Sequence, residues 1–297
     1  SDIRLLARNL LAQGVNAAQL TELVSILNDQ ITQRLIRLEL AHAGLSAKGV
    51  CWLAFGSEGR MEQTLASDQN NGMIFVEDNL RDQQRERLLG IACHVNEALA
   101  RCGFRMCSGN VMASNPDWCL SLEEWKETFS HWIDHPDPQT LRAAKIFFDF
   151  RPLWGNEKLA YNLRQWLTGK TKDNQEFLQP LGGREHTLDL KRNGASVFVD
   201  AARIFALATG IQATGTVRRL EDSANALGIS DSEVNAWRDA FYFIQMLRLK
   251  RQQEAAVRGE KPDNYLDPDT LNDVDRRILK EAFRQARNLQ NRLKVVA

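Results

Sequence analysis

The stretch from Cys51 to Glu77, CWLAFGSEGRMEQTLASDQNNGMIFVE, constrains the fold of this chain more than any other segment. Val50 to Phe55 and Gly72 to Val76 are short apolar runs rich in strand-forming residues, and they predict two strands. Between them lie a Gly-Ser turn, a short helical pattern and polar residues at alternate positions. This order predicts a small α/β unit whose alternating polar residues project toward the turn.

Helical patterns flank this unit on both sides. Residues 3–45, residues 79–101 and most of the chain after Leu120 repeat apolar side chains every three to four positions. Phe104 to Met112 resembles a third strand interrupted at Ser108 and Gly109. We therefore predict an α+β fold with an N-terminal helical lead at residues 1–47, an α/β domain at 48–136 and a larger helical domain at 137–297.

Composition limits the classes of partner. Lys plus Arg and Asp plus Glu both number 38 in 297 residues, so no global basic field favours nonspecific binding to nucleic acid. No apolar run is long enough for a membrane span, and no signal peptide begins the chain. The five cysteines lack zinc-site spacing, which is typical of a protein of the reducing cytoplasm. We expect a cytoplasmic protein without membrane or nucleic-acid partners.

The Gly-Ser turn is a candidate phosphate site. Main-chain N–H groups at a glycine turn followed by a helix form a concave positive nest that suits phosphate oxygens. Gly56 allows close backbone approach, Ser57 adds a hydroxyl, and Gly59 keeps the turn open. The planar guanidinium of Arg60 matches two phosphate oxygens at once.

Asp68 and Asn70 occupy alternate positions of an extended segment and therefore face the same side. Mg²⁺ or Mn²⁺ at such a place prefers carboxylate oxygens, and two metals can stabilise the attacking and leaving oxygens of a displacement. An ordinary strand-turn-helix with a solvated aspartate is the competing interpretation. The agreement of the turn with Arg60, Glu62 and the spacing to Asp68 favours metal-dependent transfer of a nucleoside monophosphate from a nucleoside triphosphate.

The segment GSEGRMEQTLASDQN resembles the nucleotidyltransferases of bacterial signalling proteins that also carry CBS domains or a cyclic-nucleotide-binding domain. That family is similar to the PII-protein uridylyltransferase and the glutamine-synthetase adenylyltransferase, within the polymerase-beta-like superfamily. The likeness runs from about Leu20 to the end. It includes the segments GNVMASNPDW, IFFDFRPLWG and LDLKRNGASVFVDAARIFALATGI.

The resemblance implies a polymerase-beta-like domain followed by a helical substrate-binding domain. It implies transfer to a hydroxyl, on a protein as in those two transferases, with release of pyrophosphate, and regulatory domains N-terminal to this sequence. Asp68 and position 70 would hold the metal. Asp189 and Lys191 lie in a segment similar to the family's second-domain contact with the nucleotide, although Lys191 also suits a solvated helix start.

Position 70 departs from the family pattern Ser-Asp-Gln-Asp, because this chain has Asn70. An amide oxygen can touch a metal but brings no negative charge, so Mg²⁺ binding is weakened. Two explanations stay open: a naturally impaired site, or a substitution made to trap an inactive state. The start at Ser1 fits an expressed fragment.

A third carboxylate is not obvious from the sequence. Glu62, Asp149 and Asp189 are the candidates, and for Asp149 a salt bridge with Arg151 or Arg142 is the simpler interpretation. Two other functions therefore stay open. One is a nucleotidyltransferase acting on an antibiotic or metabolite, and the other is a nucleotide-sensing regulatory module without catalysis.

Overall fold

A computed structural model describes residues 2–44, 47–65, 67–77, 81–172, 174, 177–178, 189–260, 264–266 and 271–296. Helices dominate, and a small four-stranded sheet precedes a helical C-terminal region, which confirms the predicted α+β class. No helix within the described ranges is both long enough and apolar enough to cross a membrane.

The regular elements follow the chain in this order: α1 (Asp2–Ala12), α2 (Ala17–His42), β1 (Val50–Ala54), α3 (Gly56–Gly59), β2 (Asn71–Phe75), α4 (Arg81–Arg101), β3 (Cys119–Ser121), α5 (Leu122–Asp134), α6 (Pro138–Phe147), β4 (Arg151–Gly155), α7 (Glu157–Thr171), α8 (Ser196–Thr209), α9 (Thr216–Ala224), α10 (Asp231–Val257) and α11 (Asp273–Val296). Short 3-10 turns precede β1 and β3, and a π-helical turn, Leu190–Ala195, leads into α8.

The chain divides into two compact units. One is built mainly from Glu22–Gln63 and Ser67–Lys170, and it contains the sheet. The other is built mainly from Arg4–Thr21 and Thr171–Ala297, and it is helical. Within it α8 packs against α9 and α11, and α10 packs against α11.

The sheet has the strand order β3-β2-β1-β4. β1 pairs antiparallel with both β2 and β4, and β2 pairs parallel with β3. In the register of the central pair Ala54 lies opposite Asn71. The C-terminal end of β1 and the N-terminal end of β2 therefore meet at one edge, and the turn after β1 lies there.

The predicted strand at Phe104–Met112 is wrong. A turn closes from Asn110 N–H to the Cys107 carbonyl at 3.0 Å, with Asn110 in the left-handed region, and the segment forms only an isolated bridge through Arg105. β3 and β4 supply the other strands instead. β4 lies C-terminal to the predicted boundary at residue 137, yet it pairs with β1 in the same sheet.

Both faces of β1 are covered. Trp52 and Ala54 belong to a buried cluster with side chains of α2 and α4, and the alternating Cys51 and Leu53 are also fully buried. Phe55, the residue after β1, packs its ring centroid 4.8 Å from Phe147 and 5.8 Å from Trp125. These aromatic contacts fix the point at which the turn begins.

Candidate active site

The turn after β1 is a single helical turn, Gly56–Gly59. Glycine suits its first and last positions for different reasons. Gly56 has a φ of 55°, and a Cβ added there would meet no atom within 4 Å, so the space in front of it is open. A Cβ at Gly59 would lie 1.8 Å from the Asp149 carbonyl oxygen. Close approach of the Asp149 main chain therefore requires glycine at position 59.

Position 70 lies directly beside this turn. The Phe55 N–H donates to the Asn70 carbonyl at 2.9 Å, which extends the ladder between β1 and β2 by one pair. The main-chain N–H of Asn70 in turn donates to the Glu58 carboxyl within the turn. The structure thus brings the predicted phosphate turn and one of the two predicted metal positions together.

Buried amides fix the direction of the segment around position 70. Gln69 and Asn71 are 2% and 1% exposed, and Asn96 of α4 donates to the Gln69 Oε1 at 2.9 Å and to the Asn71 Oδ1 at 3.0 Å. Side chains of an extended segment alternate between its faces. Asp68 and Asn70, both partly exposed, therefore share the opposite face, and their role in binding stays a prediction.

Asp68 has a cationic partner. Its Oδ1 lies 2.8 Å from the Nε of Arg105, with 38% and 37% of the two side chains exposed. The main chains of the two residues form a parallel bridge, and the Gln69 N–H donates to the Arg105 carbonyl at 2.8 Å. No motif in the sequence marked Arg105, because its partner lies on a distant segment.

Arg60 contacts carboxylates in this structure, where the sequence had predicted a contact with phosphate. Its Nη1 donates to the Asp149 Oδ2 at 2.6 Å and its Nε donates to the Glu62 Oε2 at 2.8 Å. The Asp149 side chain is fully buried. Arg60 is therefore the partner of Asp149, in place of the Arg151 or Arg142 expected from the sequence, and it ties the turn to the segment before β4.

Glu58 is a buried acid that the sequence analysis missed. Arg151 donates through Nε and Nη2 to the Glu58 carbonyl at 3.2 and 3.1 Å, and its Nη2 also contacts the Asp29 Oδ1 at 2.8 Å. Burial, the largest cause, and the charge of Asp29 raise the pKa of Glu58, whereas Arg151 and the Asn70 N–H lower it, and the net result is a pKa of about 8. Burial also raises the pKa of Asp29. In the sequence, only the position of Glu58 shortly after a predicted strand could have indicated that this acid is buried.

Glu58→Gln is expected to change how stability depends on pH. The pKa of an ordinary glutamate is 4.5, whereas the pKa of Glu58 in the folded protein is about 8. As pH rises between these values the unfolded state loses its proton first, so the free energy of unfolding falls. Glutamine removes this fall. Urea unfolding should show the variant gaining a few kcal/mol over the parent between about pH 5 and pH 8. Glu127→Gln, at an exposed position of α5, is the control, and equal pH profiles for all three proteins would contradict the burial of an ionisable Glu58.

Two models of known protein families match this chain. Residues 1–139 match the family described as "Putative nucleotidyltransferase DUF294". Residues 175–296 match the model described as "Putative nucleotidyltransferase substrate binding domain". The chain belongs to this nucleotidyltransferase family. No curated protein sequence matches it.

The DUF294 match contains the turn and residues 68–70, and the substrate-binding-domain match contains Asp189 and Lys191. Asp189 caps the π-helical turn, because its Oδ1 accepts from the main-chain N–H groups of Lys191 at 2.7 Å and Arg192 at 3.2 Å. Lys191 is exposed. The predicted nucleotide contact of these two residues stays a prediction, as do the narrower links to CBS-domain proteins and to the uridylyl- and adenylyltransferases.

The donor set of this DUF294 chain does not fit a tightly held Mg²⁺ or Mn²⁺. Asp68 is the carboxylate of the shared face and is already paired with Arg105, and Asn70 offers only an amide oxygen. In the described part of the chain, no three His, Cys, Asp or Glu side chains lie close enough together to hold a metal ion. An aspartate at position 70 would supply a second carboxylate on the same face.

Proposed function

We propose that this chain binds a nucleoside triphosphate on the face shared by the Gly56 turn, Asp68 and Asn70. We further propose that nucleotidyl transfer takes place there when position 70 is an acid. The observation that carries the proposal is the bond from the Phe55 N–H to the Asn70 carbonyl, which sets position 70 beside the residue that precedes the Gly56 turn. Membership of the nucleotidyltransferase family supports the reaction class.

The proposed reaction is a displacement at the α-phosphorus of the triphosphate. A hydroxyl oxygen of the acceptor forms a bond to this phosphorus, the bond to the bridging oxygen breaks, and pyrophosphate leaves. The hydroxyl proton passes to solvent. Mg²⁺ or Mn²⁺ belongs to this proposal only with aspartate at position 70. A protein hydroxyl as acceptor, preceding regulatory domains and a cytoplasmic location are parts of the proposal that rest on the resemblance alone.

A nucleotide-sensing module without catalysis is the second candidate. Two observations favour it: the amide at position 70 and the ion pair that occupies Asp68. A sensor needs only to bind the nucleotide more tightly in one state of the protein than in another, and such binding does not require a metal.

Thermal denaturation with ATP, GTP, CTP and UTP, each with and without MgCl₂, tests the binding face. A ligand that binds only the folded state stabilises it by about 2.7 kcal/mol at one hundred times its dissociation constant, so we expect a clear rise of the midpoint with at least one triphosphate. Ser57→Ala should reduce this rise, and Ser130→Ala on α5 should not. The proposal fails if no triphosphate raises the midpoint of either the parent or Asn70→Asp.

A further inference from the structure

The charge on the proposed binding face differs from what a metal site requires. The face shared by Asp68 and Asn70 has one carboxylate, and the Arg105 guanidinium lies 2.8 Å from it. The two charges cancel. A divalent cation would therefore find little net attraction there, whereas a polyphosphate would find little repulsion.

Arg105 is held in this place by its main chain. The parallel bridge with Asp68, which includes the bond from the Gln69 N–H to the Arg105 carbonyl, fixes the backbone at this contact. Gln69 is anchored by Asn96 on the buried side. The guanidinium is thus positioned at the face by the fold, and 37% of the side chain remains accessible to a ligand.

From this arrangement we infer that Arg105 is the cation of the site: its guanidinium, held against Asp68, contacts the polyphosphate directly, so the chain binds nucleoside triphosphate without a divalent metal. Guanidinium groups suit phosphate oxygens because their planar donors match two acceptors. This inference rests on the proposed function and specifies its cofactor requirement.

A purely structural ion pair makes a different prediction. Partly exposed pairs contribute at most about 1 kcal/mol to folding, so Arg105→Gln should leave the protein folded in either case. The metal dependence of nucleotide binding separates the two roles, because a structural pair has no reason to affect it.

Calorimetric titration with ATP and with UTP, in excess MgCl₂ or in EDTA, measures this dependence. For whichever nucleotide binds, we expect the parent affinity to differ by less than about threefold between the buffers. Arg105→Gln should weaken binding in EDTA by about tenfold, the effect of one charged hydrogen bond. Arg101→Gln, an exposed arginine in the last turn of α4, should bind like the parent.

Asn70→Asp supplies the opposite change. A second carboxylate beside the phosphates should lower affinity in EDTA by about tenfold and make binding depend on Mg²⁺. Parent binding that requires Mg²⁺, or equal affinities for Arg105→Gln and Arg101→Gln in EDTA, overturns the inference and leaves the proposed function standing. Absence of binding by both the parent and Asn70→Asp in both buffers overturns the two together.

Discussion

Asn70→Asp is expected to raise nucleotidyl transfer by about a hundredfold or more, comparable to the effect of one preorganised electrostatic group at a reacting centre. The variant places a second carboxylate on the face of Asp68, beside the Gly56 turn. The pair then fits Mg²⁺, which the present donor set does not. Transfer of label from α-labelled ATP and UTP to protein in a cell extract with MgCl₂ measures the gain, and an assay of the released pyrophosphate, which carries no α-label, checks it.

Two further variants make this result specific. Asn235→Asp adds the same charge at an exposed position of α10 and should leave the rate unchanged. Asp68→Asn combined with Asn70→Asp leaves a single carboxylate on the face and should lose the gain. A gain that survives this combination would show that the two positions do not act together, and would remove the basis of the proposed reaction.

Gly59→Ala is expected to cost more than about 3 kcal/mol of stability, because two main chains approach too closely for a Cβ. That atom would lie 1.8 Å from the Asp149 carbonyl oxygen and 2.9 Å from the Ala54 carbonyl oxygen. Neither obstacle is a flexible side chain. The backbone must shift, and the buried ion pair between Arg60 and Asp149 would be disturbed with it. Urea denaturation at neutral pH measures the loss.

Gly90→Ala is the matched control for the loss of a glycine. Gly90 lies within α4, is exposed, and has no atom within 4 Å of an added Cβ. Alanine there should stabilise the helix by up to about 1 kcal/mol. If Gly59→Ala unfolds at the parent midpoint, the close passage of the Asp149 main chain over the turn is wrong.

The sequence was sufficient to predict the elements whose signal is local. β1, β2 and α4 were predicted within about one to two residues, because each is a continuous apolar run or a one-sided apolar repeat. β4 was missed because Pro152 argues against a strand, although β4 is an edge strand where proline is tolerated. β3 has only three residues, which is too short for a pattern to show.

The site was predictable only in part, because only some of its features depend on residues that are neighbours in the sequence. The alternation of Asp68 and Asn70 could be inferred because it depends on neighbours along the chain. The pairs of Asp68 with Arg105 and of Arg60 with Asp149 join segments far apart in sequence, and no single sequence reveals such pairings. The burial of Glu58 likewise depends on where Asp29 and Arg151 lie in the folded chain.

The buried side-chain amides of Gln69, Asn71 and Asn96 affect which residues position 70 can accept. Asn96 donates hydrogen bonds to the side chains of Gln69 and Asn71, which flank residue 70. These bonds hold the backbone there without using the side chain of residue 70. We therefore expect the exchange of amide for acid at this one place to leave the folding of the segment unchanged. If the proposed function is right, one substitution is then enough for a protein with this scaffold to gain or lose a metal requirement.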